Sequence, residues 1–347
     1  MKEPVIVVGG GICGMTAAAE LSHMGIPVTL IEKLDTPGGQ VGNWDRLFPD
    51  RKKASEVLEK AALRLQGVNV LTGRTVKKIC QEDGSFIVDL NFEENGTGMN
   101  SRLPASAIVL ATGFSLFEAR KKEEYGYGIY DNVMTSADLE KKFREGNPLA
   151  RADGKKPACI GFVHCVGSRD EKVGNLYCSR VCCVTGVKQA IEVKEMFPDS
   201  EVFCFYMDLR MFGRHFEEMY YEAQQKHGIQ FIRGRVSECA ENPDGSVLVK
   251  TEDTLSGKPF KVSVDLLVLL SGITSPPQSV SLASDLGIQR GEDGFLSPSD
   301  PHSGDNLSCI PGIFLAGTVK GPASVTESIA DGRAAAVQAA EFYKSLT

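Results

Sequence analysis

Two stretches of this 347-residue chain, about 160 positions apart, carry the same order of elements, and that repetition limits the fold more than any single motif does. "GVNVLTGRTVKKI", a hairpin turn at Asp83-Gly84 and "AIVLATGF" read as a strand, a β-meander and a returning strand. "GIQFIRGRVSEC", a turn at Asp244-Gly245 and "DLLVLLSGI" repeat the series. Val76 matches Val236 at an offset of 160, Gly84 matches Gly245 at 161, and Gly113 matches Gly272 at 159. Offsets this constant indicate an internal duplication. The fold class expected is α/β, with two tandem dinucleotide-binding-type domains, each holding a parallel sheet, helices and a β-meander. The first covers residues 1–115 and is completed by 275–347; the second covers 116–274.

The first copy opens with "VIVVGGGICGMTAAAEL", a short apolar strand, a glycine turn and an alanine-rich helix. Gly9, Gly11 and Gly14 have GxGxxG spacing, and the next strand, "PVTLIEK", ends in Glu32, eighteen residues beyond Gly14. Such glycines let the backbone approach a pyrophosphate, the helix N-terminus faces its charge, and the acid takes a ribose hydroxyl. GxGxxG alone is weak evidence; strand, helix, second strand and acid together make a nucleotide site. The second copy lacks this turn. Its opening strand, "ACIGFVHC", runs into "GFVHCVGSRD", with Cys165 where a glycine loop belongs. Asp208, after "VFCFYM", stands where a ribose acid would, but without the glycines a pyrophosphate has no close seat, so NAD(P) is not expected there.

What replaces the loop is sulfur. Four of the ten cysteines, Cys165, Cys178, Cys182 and Cys183, fall in nineteen residues that end in "YCSRVCC". Adjacent cysteines make poor disulfide partners, and the four-residue step from Cys178 to Cys182 predicts that both share a helix face. Four thiolates suit a [4Fe-4S] cluster, and they also suit zinc. Zinc sites usually build on CxxC knuckles, which this chain lacks, as it lacks a CxxC redox pair. Packing thiols are the third reading. His164, beside Cys165, either donates to a sulfur or is structural.

Composition excludes several classes. With 42% hydrophobic and 24% charged residues the chain is ordinary for a globular protein, and a net charge of −7 leaves no basic footprint for nucleic acid. The apolar run of "MKEPVIVVGG" collapses into glycines after four residues, which reads as a strand rather than a leader. No stretch approaches the roughly 18 apolar residues of a membrane span, so no direct membrane insertion is expected. Cysteine-rich and without a secretion signal, the chain is expected in the cytoplasm with reduced thiols. Cys13, Cys80, Cys159, Cys204, Cys239 and Cys309 have packing or loop positions as their default reading.

The run "HCVGSRDEKVGNLYCSRVCC" followed by "KQA", then "FYMDLRMFGRHFEEMYYEAQQKHGIQFIRGRVSE", and "DGFLSPSDPH" leading into "GIFLAGTVKGP", resemble the A subunit of heterodisulfide reductase and its relatives over residues 1–345. The resemblance implies an FAD protein with a thioredoxin-reductase-like core, with electron transfer through a [4Fe-4S] cluster on Cys165, Cys178, Cys182 and Cys183. It further implies a homodimer, and iron-sulfur B- and C-type subunits as partners. The chain passes from Gly38-Gly39 to "NWDRLFPDRKK" without the insertion of the methanogen type, which resembles the short, core-only form in Hdr-like complexes of sulfur oxidisers. A related component of a quinone-interacting complex is the alternative, and a self-sufficient NAD(P)H-dependent disulfide reductase a further one. Where the methanogen pattern looks like "AQGPKD", this chain reads "VKGPAS", with Ala323 replacing a lysine and Lys320 appearing earlier; electron bifurcation is not implied.

For the flavin, the same resemblance implies contacts from Glu32-Lys33, from Gly39 and Gln40, from Ala111-Thr112-Gly113, and from the backbone of Val76 to the adenine. Flavoproteins of this kind place an Asp after "AG"; here Gly317 is followed by Thr318. Ser324 and Glu327 have capping-box spacing, so a helix is expected from Val325. Its positive end suits the charge that reduction puts on the isoalloxazine. Lys320 either lies near the ring or is solvated, and Trp44 is a ring shield, a lid or an interface residue. No acid, base or nucleophile for a substrate of its own stands out.

Overall fold

The computed structural model describes residues 2–82, 84–94 and 97–346; Asp83 of the expected Asp83-Gly84 turn lies outside them. Two compact units divide the chain. One takes the residues up to Gly42, Ala54–Ser115 and Thr274 onward; the other takes Asn43–Lys53 and Leu116–Ile273. Sequence order alone groups Asn43–Lys53 with the first unit, but this segment packs on the second. Asp45 N–H donates to Glu140 at 2.9 Å, Arg51 pairs with Glu222 at 3.1 Å, and Phe48 meets Phe216 edge-on at 5.5 Å.

In the first unit five parallel strands lie in the order Ile313–Leu315, Ala107–Leu110, Val5–Val8, Val28–Ile31, Asn69–Leu71. A central parallel strand is covered on both faces, which is why "VIVV" and "AIVL" are continuous apolar runs. Successive side chains still alternate. Val5, Val7, Ala107 and Val109 face a layer made by the helices Ile12–His23 and Val325–Ser345, which meet through Ala17, Ala18, Ala335, Ala336 and Ala339. Ile6, Val8, Ile108 and Leu110 face Val76, Ile79, Val88 and Leu90 of the antiparallel meander Thr75–Glu82, Ser85–Glu94, Thr97–Ala105.

The second unit repeats the plan. Its parallel order is Val133–Thr135, Leu266–Ser271, Cys159–Val166, Glu201–Tyr206, Gln230–Arg233, with a meander of Glu238–Glu241, Val247–Asp253 and Lys258–Val264. Ile160, Phe162, Leu266 and Val268 face the helix Cys182–Met196, and Val163, Leu267 and Leu269 face the meander. The copies differ at the outer strand. In the first unit it arrives from the C-terminal part of the chain, in the second from the segment just before the repeat. Both units thus have the α/β arrangement the duplication predicts.

Candidate functional site

In each unit the candidate residues gather where the central strand of the parallel sheet runs on towards a helix. In the first unit Gly9 has φ +107°, and a Cβ there would lie 2.3 Å from the carbonyl oxygen of Ala111; at Gly14 a Cβ would lie 1.9 Å from that of Gly9. Packing alone demands both glycines. Gly11 is different, since the nearest atom to its Cβ position is Gly39 Cα at 3.9 Å. Gly11 is also the N-cap of Ile12–His23 and supplies no side-chain bond, so the first-turn N–H groups have no side-chain cap, as an anion site requires.

Glu32 is buried, and its carboxylate accepts N–H from Gly10 at 2.6 Å and from Leu34 at 2.8 Å. Each oxygen keeps an acceptor position for a hydroxyl. The turn at Gly38 closes on the first loop through Gly38 N–H to Gly10 O at 2.8 Å, and a Cβ on Gly39 would meet Gly11 Cα at 2.8 Å. Gln40 Nε2 donates to Phe114 O at 3.2 Å, just beyond Thr112 and Gly113. Thr112 shares a 2.6 Å hydroxyl bond with Ser279, and Ala111 is buried beneath the glycine turn. Thr318 Oγ1 lies 3.9 Å from the Cβ position of Gly113, so the two turns are neighbours. Lys33 is exposed beside Glu32. Val76 is in the core, and its carbonyl already accepts Gln278 Nε2 at 3.3 Å.

Lys320 is neither a solvated loop cation nor an unpaired one. Its Nζ reaches Asp305 at 3.0 Å and Asp331 at 2.9 Å, and Asp331 also accepts Asn306 Nδ2 at 2.8 Å and the N–H of Gly317. Sequence reading missed Asp331 and Asn306, which fix the Gly317-Thr318 turn from the final helix and from a preceding loop. The capping box is present: Ser324 Oγ accepts Glu327 N–H at 3.2 Å, Glu327 accepts Ser324 N–H at 2.7 Å, and Val325 opens the helix.

In the second unit the register between Cys159–Val166 and Leu266–Ser271 shifts between Val163 and Val166, and Cys165 there has φ +62°. A bulge of this kind re-aims side chains at a strand end. The helix begins only at Cys182, which corrects the expectation that Cys178 shares its face. Arg180 at φ +58° breaks the turn, and the fully buried Ser179 is fastened elsewhere, bonded to Ser168 Oγ and accepting Ile273 N–H at 2.8 Å. Cys178 sits in this loop, half-buried, its sulfur accepting Arg180 N–H at 3.3 Å. Cys183 Sγ donates to Asp208 O at 3.5 Å.

Three of the sulfurs compete for charge. Hydrogen bonding with Cys182 lowers the Cys165 and Cys183 thiols, Cys183 to about 4, while the proton so retained pushes Cys182 well above the ordinary range. His164 is buried with neither ring nitrogen hydrogen-bonded among the described residues. Burial opposes charge on this ring, but the Cys183 and Cys204 sulfurs beside it outweigh burial and lift it to about 10.

Asp208, which the sequence places where a second ribose acid would be expected, is paired within its own unit. Asp208 is clamped by Arg169 at 2.9 Å and Arg233 at 3.4 Å, which hold its carboxyl below the usual range. Elsewhere, Glu195, Glu222 and His227 bring ligand atoms within 4.8 Å of one another, but Arg51 already supplies the countercharge there. Trp44 is half-buried in the segment that packs on the second unit. Among the described residues no helix is long and apolar enough to cross a membrane.

Residues 1–134 match the model of the pyridine nucleotide-disulphide oxidoreductase family. The chain is 30% identical to the A subunit of the H(2):CoB-CoM heterodisulfide,ferredoxin reductase of Methanothermobacter marburgensis, over 98% of this chain and 64% of that protein. It is 32% identical, with the same coverages, to an iron-sulfur A subunit of the CoB--CoM heterodisulfide reductase of Methanopyrus kandleri. The chain therefore spans just under two thirds of the length of these relatives. Among solved structures, the thioredoxin reductases of Lactococcus lactis (TM-score 0.69, 21% identity, 99% of this chain and 100% of that one) and T. acidophilum (0.68, 16%, 99% of each) share the fold. Along nearly its whole length the chain is thus similar in sequence to heterodisulfide reductase A subunits, and it shares its fold with thioredoxin reductases.

Proposed function

We propose that this chain is an FAD- and [4Fe-4S]-dependent electron-transfer component of a heterodisulfide-reductase-like complex, with iron-sulfur B- and C-type partner subunits that carry out disulfide or sulfur chemistry. The observation that carries this reading is the set Cys165, Cys178, Cys182 and Cys183 on the turn and helix start that replace the second nucleotide loop. Bound in their units, FAD exchanges electrons in pairs or singly and a cluster carries them one at a time.

The chain's own residues supply the rest. The open backbone at Gly11 and the uncapped start of Ile12–His23 hold a pyrophosphate, and Glu32 accepts ribose hydroxyls. Gly39, Gln40, Thr112, Gly113, Gly317 and Thr318 form adjoining turns for the rest of the flavin. The capping box at Ser324 fixes a helix N-terminus whose partial positive charge favours a reduced, anionic ring. In the second unit the bulge sets Cys165 at the strand end, the left-handed Arg180 sets Cys178 in a loop, and the helix start carries Cys182 and Cys183 about 100° apart around its axis.

The reading as a self-sufficient NAD(P)H-dependent reductase is disfavoured by the arginine clamp on Asp208 and by the cysteines in the place of a second glycine loop. Replacing Cys182 by Ala tests the proposal. The variant should keep FAD and lose the electron paramagnetic resonance signal of the reduced cluster; an unchanged signal would remove Cys182 from the ligand set.

A further inference from the structure

The imidazole of His164 is a buried polar side chain in the second unit's sulfur site that this function leaves without a task. It is 6% exposed, and both ring nitrogens lack a hydrogen-bond partner among the described residues. Leaving a buried ring nitrogen unpaired costs about 1–3 kcal/mol, so a position like this persists when a neighbouring acceptor becomes stronger than a neutral thiol. The ring's place is built. His164 precedes Cys165 in the bulged end of Cys159–Val166, and the helix that carries Cys182 and Cys183 is reduced to glycine opposite it. A Cβ on Gly186 would lie 2.8 Å from His164 Cε1 and 3.0 Å from Nε2. The sulfurs of Cys183 and Cys204 are the polar atoms beside the ring. As thiols they are weak acceptors; a metal-bound thiolate at Cys183 is a charged and far better one.

We infer that His164 is a positioning residue of the metal centre, donating a ring N–H to the ligand sulfur of Cys183 and thereby holding the centre's reduction potential up. Imidazole carries an N–H whether neutral or charged, so the donation needs no titration. A donor to a ligand sulfur stabilises the more negative, reduced state, and hydrogen bonds of this kind are among the main determinants of cluster potential. Gly186 admits the ring, where a Cβ would also lie 3.3 Å from Leu270 Cδ1 on the neighbouring strand. The inference rests on the cluster proposed above.

The test is made on the full chain, purified without oxygen. In wild-type protein labelled with 15N-histidine, pulsed electron paramagnetic resonance of the reduced cluster should show a nitrogen coupling that vanishes in His164→Gln. In His164→Leu the iron and sulfide content should be kept and the midpoint potential should fall, and His164→Gln, which retains an amide donor, should recover part of the shift. An iron-loaded wild type without the nitrogen coupling overturns the role of His164 alone. So does an unshifted potential in an iron-loaded His164→Leu. Wild-type protein lacking iron and sulfide overturns the cluster itself, and this inference with it. If His164→Leu fails to load, the wild-type coupling decides.

Discussion

Gly11 and Glu32 show how differently single residues reveal themselves. GxGxxG and an acid eighteen residues on are legible as spacing, because each residue answers to its local turn. The structure separates their reasons: Gly9 and Gly14 are required by contacts with Ala111 and Gly9 oxygens, while a Cβ at Gly11 would make only an ordinary 3.9 Å contact with Gly39 Cα. Gly11→Val should therefore leave the fold largely intact and lower flavin content several-fold, as read from absorbance per protein after purification; full flavin occupancy would contradict the assignment. Ser324 was equally readable, since a capping box is a four-residue pattern. Ser324→Ala should cost about 1 kcal/mol in denaturant unfolding of the flavin-free protein. Asp331 and Asn306 were not readable. They act on Gly317 and Lys320 through bonds made only when distant segments meet, and no local pattern marks them.

The cysteine loop and the segment Asn43–Lys53 each behave as a unit. Cys178 and Cys182 have helical spacing, yet the helix starts at Cys182, because Ser179 bonds Ser168 and Ile273 while Arg180 turns left-handed. Nothing in "YCSRVCC" announces those long-range bonds. Ser179→Ala leaves the buried Ile273 N–H unpaired and should destabilise the second unit by about 1–3 kcal/mol, visible as a lower unfolding midpoint. Asn43–Lys53 depends on an ion pair. Arg51 holds Glu222 down to about 2 through its hydrogen bond, against a burial effect of opposite sign. A carboxyl depressed in the folded state contributes stability that is complete above its unfolded pKa and is lost as pH falls through the folded one. The stability gap between wild type and Arg51→Met should accordingly be constant above about pH 4.5 and shrink between there and about pH 2. A gap that does not change over this window would show that the pair contributes nothing.

Taken whole, the chain is one plan used twice and then altered in the second copy. The duplication was plain in the constant offset of Val76, Gly84 and Gly113 from Val236, Gly245 and Gly272, and both sheets follow it strand for strand apart from the outer one. What distinguishes the second copy follows from chemistry: Cys165 stands where the first copy has its glycine loop, and Asp208 is paired with Arg169 and Arg233. NADH and NADPH should then leave the flavin of the isolated protein oxidised. Stoichiometric bleaching within seconds, read at the flavin absorbance band, would show a working nicotinamide site. The central claim is the cluster, and metal and acid-labile sulfide analysis of anaerobically purified wild-type protein reaches it most directly. Iron and sulfide near about four of each per chain is the expected result, while zinc without sulfide, or no metal at all, would contradict it.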